Sequence, residues 1–361
     1  MKIIKKIHQF IYKKFNSFFF INLSKKIGGT YLTKKDFGVV FNYFSKNYFS
    51  FHLRPKYAAD YNLINYKKNS NVGIIIQGPV NDIVFLINTI KIYKKIFPSN
   101  KVVLSTWSNT DKKFLNKLKK LNIIVLLNKL PTDNGFGNIN LQTFSTHAAL
   151  KYLKDLNIEY AIKTRTDMRV YNPKALNFLL NIFNSYPIKK NTNIDRRIIA
   201  TDLITCKFRI YGLTDLVLFG CTNDLLLYFT NKNFDREIQH YFKKKHPLII
   251  NETPVISEIF LCARYLLNKN IKLLWTLEHW WECLRDYFCI VDSQLLDLYW
   301  NKYDKQHEKR FITNYTKKTN RVVDSADWLD LYLNKNVDWN KFKYKEKWLI
   351  QNDKLFQKKV M

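Results

Sequence analysis

Three short apolar runs, separated by stretches of helical period, constrain this chain more than any other feature. They are VGIIIQGPV from Val72, KVVLSTW (Lys101–Trp107) and NIIVLLN (Asn122–Asn128). A strand that is apolar throughout, rather than at every second residue, belongs to a parallel sheet with both faces covered. The stretches between, from about Asp82 to Phe97 and Asp111 to Leu121, carry the helical pattern. Such alternation predicts a parallel sheet with helices on both faces. Leu141–Leu156 adds another helix, and EYAIKTRTDMRVYNP brings a fourth strand, Tyr160–Lys163, straight into a charged cluster.

Beyond residue 190 the pattern loosens into mixed strands and turns, in RRIIATDLI and GLTDLVLFG. A helix is expected from Thr253 to Leu267, with Thr253 as N-cap and Pro254 at the favoured first position. WLDLYL and KEKWLI, further on, have the pattern of short amphipathic helices. No internal repeat and no clean inter-domain linker interrupts the chain.

Hydrophobic residues make up 47% of the 361 and aromatics 16%, enough for a sizeable core, which excludes global disorder. The formal net charge of +31 points to nucleic acid, an anionic membrane surface or phosphorylated ligands. Lysine far outnumbers arginine and is scattered among Asn, Ile and Phe, the texture that an AT-rich genome writes by default. No helix-turn-helix, zinc-finger or RNA-recognition pattern is present, so nucleic acid is not an expected partner. Phosphate-bearing and membrane-attached partners remain. Cys206, Cys221, Cys262, Cys283 and Cys289 are odd in number and form no CxxC pair, which argues for reduced thiols in a cytosol.

The N-terminal stretch sets Ile3, Ile4, Ile7, Phe10, Ile11, Phe15 and Phe18 on one side of a helix and lysines on the other. Its apolar patch, Phe18 to Leu23, is too short to span a bilayer. Two uses fit the pattern: interfacial membrane binding, or packing on the main domain.

Arg165 and Asp167 fall just beyond the carboxyl end of the fourth strand, where open α/β sheets collect ligands. A carboxylate there suits a divalent cation and an arginine suits a phosphate, while a plain ion pair at a strand-to-loop junction uses the same residues. Gln77, Gly78 and Pro79 end the first strand, and Gly78 permits close approach of backbone to a ligand. Asn134, Gly135, Gly137 and Asn138 form a polar loop suited to sugar or phosphate.

The order of these pieces resembles the nucleotide-sugar half of GT-A type glycosyltransferases, and more narrowly the WavE lipopolysaccharide-synthesis family. Gln77-Gly78-Pro79, the Lys163–Asp167 cluster, GLTDLVLFG (Gly212–Gly220) and the Thr253 helix carry the resemblance, over roughly residues 70–300. It implies a GT-A-like, Rossmann-related, mostly parallel sheet flanked by helices over 70–300. A helical, membrane-associating segment would occupy 1–69 and a helical extension 301–361. It also implies a nucleotide-sugar donor held by Gln77, Gly78, Pro79, Arg165 and Asp167. The acceptor would be a cell-surface glycan or lipid-linked glycan, of lipopolysaccharide, lipooligosaccharide or capsule. The enzyme would then work peripherally on the inner face of the inner membrane, against anionic lipid.

GT-A enzymes generally carry Asp-x-Asp after the fourth strand, its last acid ligating Mg2+ or Mn2+. Here the triplet is Arg165-Thr166-Asp167: Asp167 is the expected metal ligand and the first acid is absent. Inverting transfer needs a carboxylate base. Glu258, on the rigid start of the Thr253 helix and sharing a face with Cys262 and Tyr265, is preferred for it. Asp215, in a Gly-flanked turn, suits acceptor hydroxyls, and Glu252 is a third choice. His279, Trp280 and Trp281, with Arg285, offer an acceptor-sugar platform or simply a buried amphipathic helix. The rival functions are a basic nucleic-acid-binding protein and a sugar nucleotidyltransferase, whose Gly-rich phosphate loop QGPVND does not provide.

Overall fold

The computed structural model describes residues 71–188, 194, 196–207, 209–230, 257–303 and 322–333. The amphipathic N-terminus, Glu252, the Thr253-Pro254 cap and KEKWLI lie outside the described residues.

β1 (Val72–Gln77) is buried at every position, and it pairs in parallel with β2 (Lys101–Trp107) and β4 (Tyr160–Arg165). β3 (Ile124–Asn128) extends the parallel half beyond β2. The intervening helices begin where aspartates can cap them. The Asp82 carboxylate accepts the Phe85 N–H at 2.9 Å to start α1 (Ile83–Ile96). Asp111 accepts the Lys113 N–H at 2.6 Å to start α2 (Lys112–Lys119). Each such cap is worth about 1 kcal/mol. α3 (Ile139–Asp155) follows, then β4.

The second half of the sheet departs from the parallel pattern at one strand. β7 (Leu218–Cys221) runs antiparallel to both β4 and β6 (Ile198–Thr201), and β8 (Phe288–Val291) then pairs in parallel with β6. The order is β3-β2-β1-β4-β7-β6-β8, a mostly parallel sheet of seven strands. Because β7 is reversed, the loop entering it lies at the same edge as the carboxyl end of β4.

Alternation along the strands assigns the two faces. A side chain at Gly73 would meet Leu153 of α3 at 2.3 Å, so α3 lies directly on the face shared by Gly73, Ile75 and Gln77. α1 covers the other face, where fully buried Tyr93 accepts the Val170 N–H at 3.0 Å. That bond ties in β5 (Met168–Val170), which pairs antiparallel with β9 (Leu298–Trp300) in a separate ribbon.

Five more helices, α4 (Ala175–Ser185), α5 (Thr222–Tyr228), α6 (Ser257–Asn268), α7 (Leu277–Tyr287) and α8 (Ser325–Leu333), complete the α-helices among the described residues. On α6, Cys262 and Tyr265, which share a helical face with Glu258, are buried along with every residue from Ile259 to Leu266, while Glu258 is half-buried. Tyr265 is enclosed because its ring meets Tyr228 of α5 at 5.6 Å and Phe288 of β8 at 5.9 Å. α8, in the stretch read as an extension, joins the core: the Trp328 indole donates to the Leu284 and Phe288 carbonyls at 3.0 and 2.9 Å. All five cysteines are free thiols, four of them buried. Among the described residues no helix is long and apolar enough to cross a membrane.

Candidate active site

The carboxyl ends of β1 and β4 meet in register, with Gln77 beside Arg165. Beyond β1 the chain turns at Gly78, whose φ of +130° is open to glycine and strained for any other residue. A Cβ there would also come within 2.9 Å of Thr166 Oγ1, which itself donates to the Pro79 carbonyl at 2.8 Å. The Thr166 N–H bonds the Gln77 carbonyl at 3.0 Å, so the two strand-end turns are stitched together.

Beneath this edge lies a polar layer in which Gln77, expected to hold the donor, is buried and joined by Ser105, Gln142 and Ser145, to which sequence reasoning assigned no role. Gln77 Nε2 donates to Ser145 Oγ at 3.0 Å, and Ser105 Oγ donates to the Ser145 carbonyl at 2.6 Å. Gln142, one turn earlier on α3, donates to the Asp215 carbonyl at 3.1 Å. The signal for it was present in LQTFSTHAAL, where Gln142, Ser145 and Ala149 share one helical face. Small polar groups there let α3 sit against the strand ends with its hydrogen bonds satisfied.

Arg165 and Asp167 form a bidentate pair, Nε to Oδ1 at 2.8 Å and Nη2 to Oδ2 at 3.1 Å. The Trp300 indole N–H also donates to Asp167 Oδ2 at 3.1 Å, and the ring lies 5.9 Å from the guanidinium. Burial alone would raise the Asp167 pKa. The hydrogen bonds and charge of Arg165, helped by Trp300, overcome that and hold the carboxyl below its usual range. Side-chain exposures of 27% for Arg165 and 22% for Asp167 leave the pair within reach of a ligand.

Two residues earlier, Lys163 is wholly buried on the face of β4 that α3 covers. Its ammonium donates to the Asp215 carbonyl and, at 3.4 Å, to that of Leu216. Burial is the main cause that pushes its pKa down to about 7, with Asp215 pulling the other way and Arg165 adding to the depression. Lys163 thus fastens β4 to the loop that enters β7. Asp215 therefore does not sit in a loose turn: it is 6% exposed and its carbonyl is held by Lys163 and Gln142. Its carboxylate accepts no hydrogen bond from the described residues.

Glu258 opens α6 near the polar loop, where a Cβ on Gly137 would lie 3.2 Å from Ser257 Oγ. Asp215 and Glu258 converge electrostatically on Tyr228. This hydroxyl is wholly buried without a hydrogen-bond partner among the described residues, and burial first, then Cys262, Asp215 and Glu258, drive its pKa far up.

The expected acceptor platform looks different in three dimensions. Trp280 and Trp281 are 0% and 1% exposed, so neither indole presents a face on which a sugar could stack. Trp280 instead donates to the Cys206 carbonyl at 3.2 Å. His279 bonds the Tyr211 hydroxyl at 2.7 Å and burial lowers its pKa, while Arg285 is engaged by Asp286 at 2.8 Å. The packing is that of a buried amphipathic helix.

The donor set also fits a divalent cation poorly. Asp167 already accepts three hydrogen bonds, which leaves about one of a carboxylate's four acceptor sites for a cation. Mg2+ in such sites is held by one or two carboxylates together with substrate phosphates, and the first acid of the pair is here an arginine.

Sheet order, glycine turn after β1 and acid after β4 together define an α/β protein whose mostly parallel sheet gathers its polar residues at the carboxyl ends of the strands. More particularly, the chain belongs to the WavE lipopolysaccharide synthesis family, whose model matches residues 72–360. Solved structures overlay on it only distantly. The glycosyltransferase GlyE of Streptococcus pneumoniae TIGR4 is 13% identical, with 80% of this chain and 64% of that one covered at a TM-score of 0.33. The galactosyltransferase LgtC, in complex with donor and acceptor sugar analogues, is 10% identical over 61% and 73% at 0.32. A cytidylyltransferase of Leptospira borgpetersenii serovar Hardjo-bovis is 16% identical over 48% and 70% at 0.31. No curated protein sequence matches this one.

Proposed function

We propose that this protein moves a sugar from a nucleotide-sugar donor to a hydroxyl of a lipopolysaccharide, lipooligosaccharide or capsule acceptor. The observation that carries the reading is the convergence of Gln77-Gly78-Pro79 with Arg165 and Asp167, on adjacent strand ends of a WavE-family chain. The glycine turn admits the nucleotide close to backbone, and Arg165 faces its diphosphate.

In an inverting course a carboxylate takes the proton of the acceptor hydroxyl. The oxygen then bonds the anomeric carbon as the bond to the diphosphate breaks. Asp215 is the better candidate for that base, since its backbone is fixed and its carboxylate accepts no hydrogen bond from the described residues. Glu258 would then contact the acceptor. A net charge of +31 favours work at an anionic membrane face, with residues 1–23 as the contact.

The test is a thermal melt against UDP-, GDP-, CMP- and dTDP-sugars. A ligand at a hundred times its Kd stabilises the native state by about 2.7 kcal/mol. One nucleotide class should raise Tm by several degrees. A flat response to the whole panel would refute the donor site.

A further inference from the structure

We infer that the donor diphosphate is bound without a divalent cation, with Arg165 supplying the positive charge and Asp167 positioning Arg165. This rests on the donor site proposed above. Three observations lead to it. The first is the residue type: a cation, Arg165, stands where a metal-binding acid pair would begin, at the last residue of β4. The second is the geometry of Asp167. A carboxylate has about four acceptor sites. Asp167 gives one each to Arg165 Nε, Arg165 Nη2 and Trp300 Nε1, and its backbone carbonyl accepts the Asn301 N–H at 2.9 Å. The third is charge. Asp167 offsets the charge of Arg165, and the cationic Lys163 two residues back opposes a dication and favours an anion.

The same features suit a diphosphate. A guanidinium is a planar fork matched to phosphate oxygens. Bidentate pairing to Asp167 and the Trp300 ring 5.9 Å away fix the plane of that fork. Trp300 is brought there by β9, which pairs with β5 immediately beyond Asp167 through the Met168–Trp300 register. The ribbon therefore holds the arginine in a fixed orientation before any ligand arrives, which lowers the ordering cost of binding.

The experiment uses the full chain, stripped of metal. UDP, GDP, CDP and dTDP are titrated by calorimetry in EDTA, then with Mg2+ or Mn2+ in place of EDTA. The expected result is one nucleoside diphosphate whose Kd agrees within about twofold in the two buffers, with Arg165→Lys weakening it about tenfold or more. Asp167→Asn should weaken it less, and equally in both buffers, because it loosens Arg165 without removing it. Manganese alone, followed by its EPR signal, should show no attenuation on adding protein. Binding that needs Mg2+ or Mn2+, together with Mn2+ uptake lost in Asp167→Asn, would overturn the inference and leave the donor site intact. Absence of binding in every buffer would overturn both.

Discussion

Arg165 and Asp167, two residues apart on the chain, grip each other through parallel hydrogen bonds of 2.8 and 3.1 Å at the carboxyl edge of the sheet. An isolated surface pair of this kind contributes at most about 1 kcal/mol. This one is held from a third side by Trp300 and stands where a ligand reaches it, so its value lies in orientation more than in stability.

Asp167→Asn is therefore expected to cost turnover far more than folding. Sugar transfer should fall at least a hundredfold while Tm drops by only a few degrees. The folded carboxyl titrates below its unfolded value of 3.8, so its stabilisation is complete above that pH and is lost as pH falls through the folded pKa. The Tm gap between wild type and variant should accordingly close below about pH 4. Full turnover in the variant would remove Asp167 from the site.

Gly78→Ala combines a left-handed φ with a 2.9 Å approach to Thr166 Oγ1. Strain of this kind costs about 1–3 kcal/mol, or roughly 2–4 °C per kcal/mol for a domain of this size. Donor affinity should fall with it, because the turn and the Thr166–Pro79 bond move together. Unchanged Tm and unchanged donor Kd would show that the turn tolerates a side chain.

Lys163 makes a prediction about pH. Its folded pKa of about 7 lies far below the ordinary 10.5, so between those values the unfolded chain binds the extra proton and stability rises with pH. The slope is bounded by about 1.4 kcal/mol per unit. Buried thiols at Cys262, Cys283 and Cys289, with raised pKa values, oppose it at higher pH. The clean window is thus pH 7 to about 8.5. Wild type should gain stability across it in chemical denaturation, and Lys163→Met should lose that gain. Identical slopes would mean that the ammonium is not buried as described.

The parallel half of the sheet was legible because runs such as GIII and VVL are apolar on both faces, and because Asp82 and Asp111 mark their helices. The reversal of β7 was not, since a four-residue strand, Leu218–Cys221, carries no direction in its pattern. Arg165 and Asp167 were legible as strand-end residues from position, and as donor-site candidates from the family resemblance. Lys163 was hidden because a lysine in a strand suggests an exposed end, whereas β7 supplies the carbonyls that let it stay inside. At Trp280 and Trp281 the sequence leaves two readings, a sugar platform and a buried amphipathic helix, and packing puts both rings in the interior. Trp300 drew no attention, because a three-residue strand gives no sign that it will reach Asp167.

The two candidate bases are separated by kinetics. An inverting base acts only as the new bond forms, so its loss should depress kcat and leave donor affinity nearly unchanged. Sequence favoured Glu258 on the assumption of a rigid helix start and a loose turn at Asp215. The turn proves to be anchored, with the backbone of the 6% exposed Asp215 held by Lys163 and Gln142. Both acids also act on the buried Tyr228 hydroxyl, so removing either should shift that group, and each variant needs its own folding control. Asp215→Asn keeps the shape and the backbone bonds, and should lower kcat by at least about a hundredfold with donor KM within twofold. Glu258→Gln should mainly raise the acceptor KM. The reverse pattern would return the base to Glu258. If both variants keep their kcat, the reaction proceeds with retention of configuration, which product stereochemistry by NMR would show directly.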